Sequence, residues 1–412
     1  MDPRTEIKLN QVDGKLCTHI VLAFARVDSL GNLTLAREGD VTYLLEVREF
    51  KRRFPGVKVM ISVYNAPDQN SGLVRAANVV EYRQRFSRSV IEFLQRFYLD
   101  GIDLDWEFSS FASPFVAREH ERIGLIKLMQ TLRTSMVENF FDRQVNEQHQ
   151  HPATQNYINT NQTNQNNLVE PHLLTVAVAG QDTVFKSGYE LKQAANLCDW
   201  LNVMCYDYFH FKAYAPFTGP NSPLQPIVDS YVPILSRLSV SWTLSRLLEE
   251  QIPNDKIVLG IPTYARAYKL MFKNTQPAPF SLAIGIKGGQ RSEEHLDYRE
   301  ICDILKRPDT VVEFDARARV PYLLTDEGYT WISYESPQSV REKVRFVLQN
   351  NLAGYMTWDL NSDDFTGQTA TAAANGTSPG DPMDGQSQSS ATCPAAFPLH
   401  RAMLDEVGQF CQ

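Results

Sequence analysis

Residues 100–107 concentrate four carboxylates in eight positions and are the part of the sequence best suited to chemistry. The segment reads Asp100-Gly101-Ile102-Asp103-Leu104-Asp105-Trp106-Glu107. Because side chains alternate along an extended strand, Asp103, Asp105 and Glu107 share one face, about 6–7 Å apart, and the apolar residues share the other. Acids at that spacing repel each other, so at least one pKa should rise and a proton should be shared. General acid catalysis requires a carboxylic acid that stays protonated near neutral pH. The alternative interpretation of the segment is a solvated acidic strand without a chemical role.

The composition excludes several classes of function. The chain has 412 residues and a net charge of −8, and an α/β barrel can use this many residues as one domain. Mild acidity without a basic cluster argues against a nucleic-acid partner. No apolar run is long enough for a transmembrane helix, and the N-terminal residues carry no apolar signal region. The six cysteines form no C-x-x-C pair, which argues against a structural zinc site. We therefore expect a monomer without a metal, a cofactor or a membrane partner.

Short apolar segments alternate with longer amphipathic ones along the chain. The predicted strands are Thr18–Ala25, Val57–Val63, Gly101–Glu107, Leu173–Ala179, Trp200–Asp207, Ile257–Pro262 and Ala353–Asp359. Helical patterns lie between them, and the clearest are Glu81–Phe97, Glu119–Phe140 and Gln338–Leu348. This alternation predicts a parallel sheet covered by helices, and seven strands favour a (β/α)8 TIM barrel over an open sheet. No Gly-x-Gly-x-x-Gly follows a strand, which argues against a dinucleotide-binding fold.

Polar or aromatic residues end several predicted strands, and in a barrel such ends surround the active face. They are Glu107, Tyr206-Asp207 and Trp358-Asp359. Three segments interrupt the alternation of strands and helices. Residues 143–170 are rich in Asn and Gln, which predicts a mobile loop insertion, and residues 367–392 predict a flexible linker before a last helix near Leu399–Val407. Residues 264–334 are too many for one crossover and predict a small inserted α+β domain within a barrel that takes up residues 1–412.

At residues 100–107 the chain resembles glycoside hydrolase family 18, the chitinases and chitinase-like proteins, whose signature Asp-x-x-Asp-x-Asp-x-Glu it matches at every defined position. Other segments resemble family motifs in the same order, namely Leu16–Ala25, Met204–Asp207, Gly260–Arg266, Trp331–Tyr334 and Gly354–Trp358. The similarity covers nearly the whole chain from Leu16. It implies a TIM barrel with a chitinase insertion domain, an extracellular protein, and chitin or chitooligosaccharides as partners.

The resemblance also implies a retaining mechanism in which the acetamide group of the substrate attacks, an exception to the usual two-carboxylate scheme. Glu107 would protonate the glycosidic oxygen and later activate water. Asp105, supported by Asp103, would hold the acetamide N–H, and Tyr206 would hydrogen-bond the acetamide oxygen. Trp358 would form the floor on which the sugar stacks. The other implied substrate-binding residues are Asp207, Met204, Phe24, Tyr264 and Arg266. Core packing is the alternative for Met204 and Trp358, and anchoring of the inserted domain is the alternative for Tyr264 and Arg266.

The chain departs from the family pattern in three places. The family's third strand ends Ser-x-Gly-Gly, whereas this chain has Ser62-Val63-Tyr64-Asn65-Ala66-Pro67, so side chains occupy space that glycine leaves open. Phe108 follows Glu107 where many relatives have Tyr, and Tyr208-Phe209-His210 replaces a His-Gly loop. The family's first strand has no counterpart before Leu16, so the first barrel strand is expected to be missing. The resemblance further implies a disulfide between Cys302 and Cys393.

Two functions from different classes are compatible with these residues. The first is hydrolysis of β-1,4-linked N-acetylglucosamine in chitin, favoured because non-catalytic relatives usually replace the acid at Glu107. The second is a chitinase-like lectin or growth-factor-type protein with little or no catalysis, favoured by the altered Ser62–Pro67 segment and the missing strand. An endoglycosidase acting on N-glycans shares the acidic motif, but the predicted inserted domain favours a deep cleft for chitin.

Overall fold

The computed structural model describes residues 7–64, 72–108, 111–113, 116–117, 119–150, 170–181, 184, 187–227, 235–284, 295–367 and 396–410. The chain divides into two compact units. The N-terminal unit consists of Lys8–Val178 and Thr183–Leu201. The C-terminal unit consists of Met1–Ile7, Ala179–Asp182 and Asn202–Gln412.

Strands and helices follow each other through both units. The strands are β1 (His19–Val27), β2 (Leu33–Leu35), β3 (Lys58–Tyr64), β4 (Gly101–Asp105), β5 (Phe111–Ser113), β6 (Val116–Ala117), β7 (Leu173–Ala179), β8 (Trp200–Met204), β9 (Ile257–Pro262), β10 (Ala265–Leu270), β11 (Ala283–Ile284), β12 (His295–Leu296), β13 (Val311–Asp315), β14 (Val320–Thr325), β15 (Thr330–Ser333) and β16 (Gly354–Trp358). The helices are α1 (Val41–Arg53), α2 (Gly72–Asn78), α3 (Val80–Arg96), α4 (Glu119–Gln150), α5 (Leu191–Leu197), α6 (Val240–Glu249), α7 (Tyr298–Ile304), α8 (Pro337–Gln349) and α9 (Pro398–Phe410).

Helix α3 is amphipathic, and helix α8 begins at a side-chain cap. In α3, Phe86, Val90 and Leu94 recur every four residues and are all fully buried, which gives the helix one apolar stripe for packing. Helix α8 begins after Ser336, whose hydroxyl accepts a hydrogen bond from the N–H of Ser339. A serine at this position satisfies one of the backbone donors that the first helical turn leaves unpaired.

In the N-terminal unit, β4 lies inside a sheet with the strand order β7-β4-β3-β1-β2. Strands β1, β3, β4 and β7 run parallel to their neighbours, and β2 pairs antiparallel with the end of β1. Every residue of β4 is buried, as expected for a parallel strand that is covered on both faces. The register places Ser62 and Tyr64 of β3 opposite Asp103 and Asp105. On the other side, Thr175 of β7 lies opposite Asp103.

In the C-terminal unit, β9 lies between β8 and β16 and runs parallel to β16. A separate antiparallel sheet has the strand order β11-β10-β15-β14-β13, with β12 paired to β10. Tyr268, Tyr322 and Trp331 form the buried centre of this second sheet. The sheet falls within residues 264–334, the segment for which the sequence predicts an inserted domain, and the boundaries of that domain stay a prediction.

All seven predicted strands occur among the described residues, but three of them end earlier than predicted, and the last of these, β16, ends one residue early at Trp358. Strand β4 ends at Asp105 and not at Glu107, because its pairing with both neighbouring strands stops there. Strand β8 ends at Met204 and not at Asp207. The predicted loop at 143–170 also begins too early, since α4 continues to Gln150.

Three further sequence predictions concern features outside the sheets. Residues 151–169 and 368–395, which contain most of the predicted loop and linker, lie outside the described residues. Cys302 is disulfide-bonded, and Cys393, the partner that the family resemblance implies, lies outside them as well. Within the described ranges, no helix is long and apolar enough to cross a membrane.

Candidate active site

Strand β4 carries two buried carboxyl groups, Asp103 and Asp105, with 5% and 4% of their surface exposed. Glu107 follows the strand and is half-buried. The residues between these acids are fully buried, namely Ile102, Leu104 and Trp106. The hydroxyl of Tyr189 donates a 2.5 Å hydrogen bond to the carbonyl oxygen of Trp106. This bond holds the backbone between Asp105 and Glu107, where the strand pairing has ended.

Asp103 is bound by two hydroxyl groups, one from each neighbouring strand. Ser62 Oγ donates a 2.7 Å hydrogen bond to Oδ2, and Thr175 Oγ1 donates a 2.6 Å hydrogen bond to Oδ1. Hydrogen bonds donated to a carboxylate favour its ionised form. Asp103 is therefore a negative charge held in place by its neighbours, two residues before Asp105 on the same face of β4.

Asp105 is a buried acid whose neighbours are also acids. Burial raises its pKa, and the charges of Glu107 and Asp103 and a hydrogen bond with Glu107 raise it further, to about 9. Its Oδ1 atom has no hydrogen-bond partner, and no cation of the described residues pairs with it. Asp105 and Glu107 therefore share one proton near neutral pH, the arrangement that the sequence spacing predicts.

Asp100, the first acid of the segment, has a structural role. Its carboxylate accepts a 2.8 Å hydrogen bond from Lys51 Nζ of α1 and a 2.7 Å hydrogen bond from the N–H of Val59 in β3. At about 3.3 Å per residue, it lies roughly 16 Å from Asp105 along the chain. Asp100 therefore connects α1, β3 and β4 at the end of the strand that is remote from the buried acids.

Tyr64, which the sequence marks only as a departure from the family motif, is a member of this group. Its ring lies against the ring of Phe24, with the two centroids 5.5 Å apart. Burial raises the pKa of the Tyr64 phenol, and the charges of Glu107 and Asp105 raise it further. Phe24, predicted to bind substrate, thus belongs to the same side of the sheet as the acids through its contact with Tyr64.

In the C-terminal unit, Asp207 is the centre of a second polar cluster. Its Oδ1 atom accepts a 2.6 Å hydrogen bond from the Tyr264 hydroxyl, and bonds of 2.9 and 2.7 Å from Nε and Nη2 of Arg266. The backbone of Asp207 has a φ of 56°, a left-handed conformation that few residues other than glycine adopt. Two side chains hold it there, because Asn221 Oδ1 accepts from the Asp207 N–H and Gln181 Nε2 donates to its carbonyl oxygen, both at 2.9 Å.

Tyr206 is positioned by an edge-to-face contact and by a glycine. Its ring meets the ring of Tyr264 with the centroids 6.1 Å apart. A Cβ on Gly260 of β9 would lie 2.9 Å from the Tyr206 ring and 2.6 Å from the carbonyl oxygen of Val203. A side chain at position 260 would therefore displace Tyr206 or separate β8 from β9.

Met204 and Trp358, the two remaining predicted contacts, lie at the ends of β8 and β16. Met204 is buried, which favours the alternative of core packing for this residue. Trp358 is half-buried, and its carbonyl oxygen accepts a 2.9 Å hydrogen bond from the N–H of Thr263. Part of the indole surface thus remains accessible at the end of the strand.

Three hydrogen-bonding residues take part in these clusters although the sequence predicts no individual role for them. Thr175 offers a signal, because it is the one polar residue in the apolar strand Leu173–Ala179. Asn221 lies in Thr218–Leu224, a further segment that resembles a family motif. Tyr189 offers no signal, since it acts through the backbone carbonyl of Trp106, which is distant in sequence.

Comparison with known proteins identifies the family. Residues 2–363 match the family model of glycosyl hydrolases family 18. The chain belongs to this family. Probable chitinase 2 of Drosophila melanogaster is 27% identical over 384 residues, which cover 87% of this chain and 69% of the relative.

Solved structures of family members have the same fold. Human YKL-39, reported as a pseudo-chitinase with retained chitooligosaccharide binding properties, aligns with a TM-score of 0.78 at 22% identity, over 99% of this chain and 96% of its own. The Group IV chitinase of Ostrinia furnacalis in complex with allosamidin aligns with a TM-score of 0.74 at 23% identity, over 98% and 94%. The predicted (β/α)8 barrel class is confirmed. Because a chitinase and a pseudo-chitinase share this fold, the fold alone does not decide catalysis.

Proposed function

We propose that the chain hydrolyses the β-1,4 linkages between N-acetylglucosamine units of chitin, with retention of configuration. The observation that carries this proposal is the pairing of the buried Asp105 with the half-buried Glu107, whose carboxyl groups are hydrogen-bonded to each other while Oδ1 of Asp105 has no partner. Burying like charges together raises the free energy of the folded protein, and a neutral side chain could make the same contacts in a binding protein. A general acid requires such a retained proton.

One shared proton is sufficient for the first chemical step. When the proton lies on Glu107, this residue can protonate the glycosidic oxygen while the acetamide oxygen of the substrate attacks the anomeric carbon. The glycosidic bond breaks, and an oxazolinium ion forms. Asp105 is then anionic, so it can accept a hydrogen bond from the acetamide N–H and stabilise the positive charge. Glu107, now a base, removes a proton from a water molecule that attacks the anomeric carbon. This attack opens the oxazolinium ring and gives a product with the original configuration.

Residues of the C-terminal unit receive their roles from family membership. We assign Tyr206 to the acetamide oxygen and Trp358 to the floor beneath the sugar, because an aromatic ring matches the apolar face of a pyranose. Asp207 is assigned to the sugar with Tyr264 and Arg266, which both donate to its Oδ1 atom. Phe24 completes the proposed set of substrate contacts.

A chitooligosaccharide-binding protein with little or no turnover is the second candidate. Tyr64 favours it, since a large side chain stands beside the acidic pair where the family motif has glycine. The relationship to YKL-39, which is reported as a pseudo-chitinase, agrees with this alternative. The retained Glu107 favours the enzyme.

Hydrolysis of a fluorogenic chitobioside, measured together with chitotetraose binding, tests the proposal. The wild-type protein should release the fluorophore, and Glu107→Gln should lower kcat at least about 100-fold, the contribution typical of a positioned general acid, while chitotetraose still binds. Glu49→Gln on α1, which removes an exposed carboxylate, is the matched control and should leave kcat unchanged. Intact sugar binding without any turnover by the wild-type protein would establish the second candidate in place of the first.

We further propose that the protein acts outside the cell, because its insoluble polymeric substrate is found there. We also propose that it acts as a monomer. Light scattering coupled to size-exclusion chromatography should then give one chain of 46.8 kDa. A mass of twice that value would contradict the monomer.

A further inference from the structure

Tyr64 is the last residue of β3, and the strand register pairs it with Asp105. Because side chains alternate along a strand, Tyr64 and Ser62 share one face of β3. Ser62 donates a hydrogen bond to Asp103, which identifies that face as the one carrying the acids. The Tyr64 side chain therefore begins on the acidic face, about 4.8 Å from β4 in the hydrogen-bonding direction.

The ring of Tyr64 packs against the ring of Phe24 from the adjacent strand β1. The centroids are 5.5 Å apart and the ring planes are inclined by 40°, a geometry within the range of favourable aromatic pairs. Both residues are half-buried, so part of the apolar surface remains open to a ligand. Tyr64 and Phe24 together form what we call the aromatic wall.

The phenol group gives the aromatic wall a polar end. Its pKa is raised, so the hydroxyl stays protonated at neutral pH and can both donate and accept a hydrogen bond. The register that pairs Tyr64 with Asp105, and the face that Tyr64 shares with Ser62, place the Tyr64 side chain beside the acids. A ligand that approaches Glu107 along β3 therefore meets the Tyr64 ring.

We propose that Tyr64 is a specificity-determining residue that, with Phe24, shortens the substrate cleft on the β3 side of Glu107. Where the family motif has glycine, a sugar unit can lie against the backbone. Here the tyrosine side chain occupies that volume and offers a surface on which a terminal sugar can stack. The site then takes chain ends and short chitooligosaccharides in preference to internal segments of a long chain. This inference rests on the proposed function, because it takes the ligand to be the same sugar.

Binding of chitobiose and chitohexaose, measured by calorimetry in the Glu107→Gln background, tests the aromatic wall independently of turnover. The parent should bind the two sugars with similar affinity. Tyr64→Ala should raise the affinity for chitohexaose relative to chitobiose at least about tenfold, which corresponds to about 1.4 kcal/mol for the additional sugar contacts. Tyr64→Phe, which keeps the ring, should retain the parent ratio. Tyr98→Ala, which removes an exposed tyrosine after α3, is the matched control.

The ratio of the two affinities decides the outcome. An unchanged ratio in Tyr64→Ala overturns the inference, as does a Tyr64→Phe variant that behaves like Tyr64→Ala, since the hydroxyl and not the ring would then be responsible. If Tyr64→Ala does not fold, Phe24→Ala removes the other half of the aromatic wall and should shift the ratio in the same direction. Failure of the parent to bind either sugar overturns this inference together with the proposed function. A wild-type protein that binds sugar but lacks turnover overturns only the enzyme, and the ratio still tests the wall.

Discussion

Asp105 on β4 and Glu335 before α8 are both nearly inaccessible to solvent, with 4% and 2% of their surface exposed. Glu335 contacts the ammonium group of Lys343, which is itself fully buried, and accepts a 2.6 Å hydrogen bond from Ser339. Among the residues that the structure describes, no cation pairs with Asp105, and the charges that raise its pKa are those of Glu107 and Asp103.

Burial raises the pKa of both carboxyl groups, but their neighbours act in opposite directions. Lys343 and Ser339 lower the pKa of Glu335 and so offset part of the effect of burial. At Asp105 the neighbouring acids add to it. The comparison teaches that this chain can supply a buried carboxylate with a cation where the group only supports the fold. On β4 the repulsion between Asp105 and the neighbouring acids is not offset in this way, so Asp105 retains a proton that can be used for chemistry.

The largest expected effect comes from removing the cation of the paired site. Lys343→Met leaves the buried Glu335 without its cation and should lower the free energy of unfolding by about 3–5 kcal/mol, measured by urea denaturation. The double variant Glu335→Leu/Lys343→Met should recover most of this loss, because replacing both partners by apolar groups is often neutral. Lys306→Met, from an exposed pair with Asp303, should change stability by about 1 kcal/mol or less. A loss at Lys343 no larger than that control would remove the distinction between the two sites.

An intermediate effect is expected at Asp103, the acid that does have hydrogen-bond donors. Thr175→Val keeps the shape of the side chain but removes the 2.6 Å hydrogen bond to Oδ1. Loss of a hydrogen bond to a charged group should reduce the free energy of unfolding by about 1.5–3 kcal/mol. Thr131→Val on α4, whose hydroxyl bonds only a carbonyl of its own helix, is the control. Equal unfolding energies for the two variants would show that Asp103 does not depend on its neighbours.

An effect with the opposite sign is expected at Asp105. Its folded-state pKa of about 9 lies above the ordinary value of 3.8, so between these values the folded state holds a proton that the unfolded state releases. Stability attributable to this group is therefore present below the ordinary pKa and is lost as the pH rises through the window. Asp105→Asn removes that loss and should be more stable than wild type at neutral pH.

Urea denaturation at about pH 5 and about pH 8 measures this effect. The stability difference between Asp105→Asn and wild type should grow by about 4 kcal/mol between the two conditions, because both pH values lie between the two pKa values and each of the roughly three pH units corresponds to about 1.4 kcal/mol. A difference that stays constant, or that shrinks as the pH rises, would mean that Asp105 is ionised in the folded protein.

The sequence predicted the strands well and their ends less well. The apolar segments at Leu173–Ala179 and Ile257–Pro262 match β7 and β9 residue for residue, since strands buried on both faces are continuous apolar runs. Strand β4 stops at Asp105 because a strand ends where its neighbours cease to pair with it, and pairing is not encoded locally. Helix α4 also extends beyond its predicted end, because its last turns lie in a segment that is too polar to be recognised as a helix from the sequence.

The candidate site shows the same division. The alternation of acids and apolar residues places Asp103 and Asp105 on one face, and this follows from the two-residue period of any strand. The partners of these acids come from other strands, Ser62 from β3 and Thr175 from β7, and a register between strands cannot be deduced from a single one. Asp100 belongs to the same motif, yet its salt bridge to Lys51 of α1 gives it a structural role.

The sequence by itself determined the family, the barrel class and the face on which the acids of β4 lie, because periodicity and motif spacing are properties of the chain alone. Only the tertiary structure decided that, within the described part of the chain, acids and not a cation act on Asp105 while Glu335 has Lys343, and that Tyr64 stands beside Asp105 against Phe24. The physical reason is that burial and electrostatic pairing depend on distances between residues far apart in sequence. Composition contains the charges, but only the folded chain sets the distances between them.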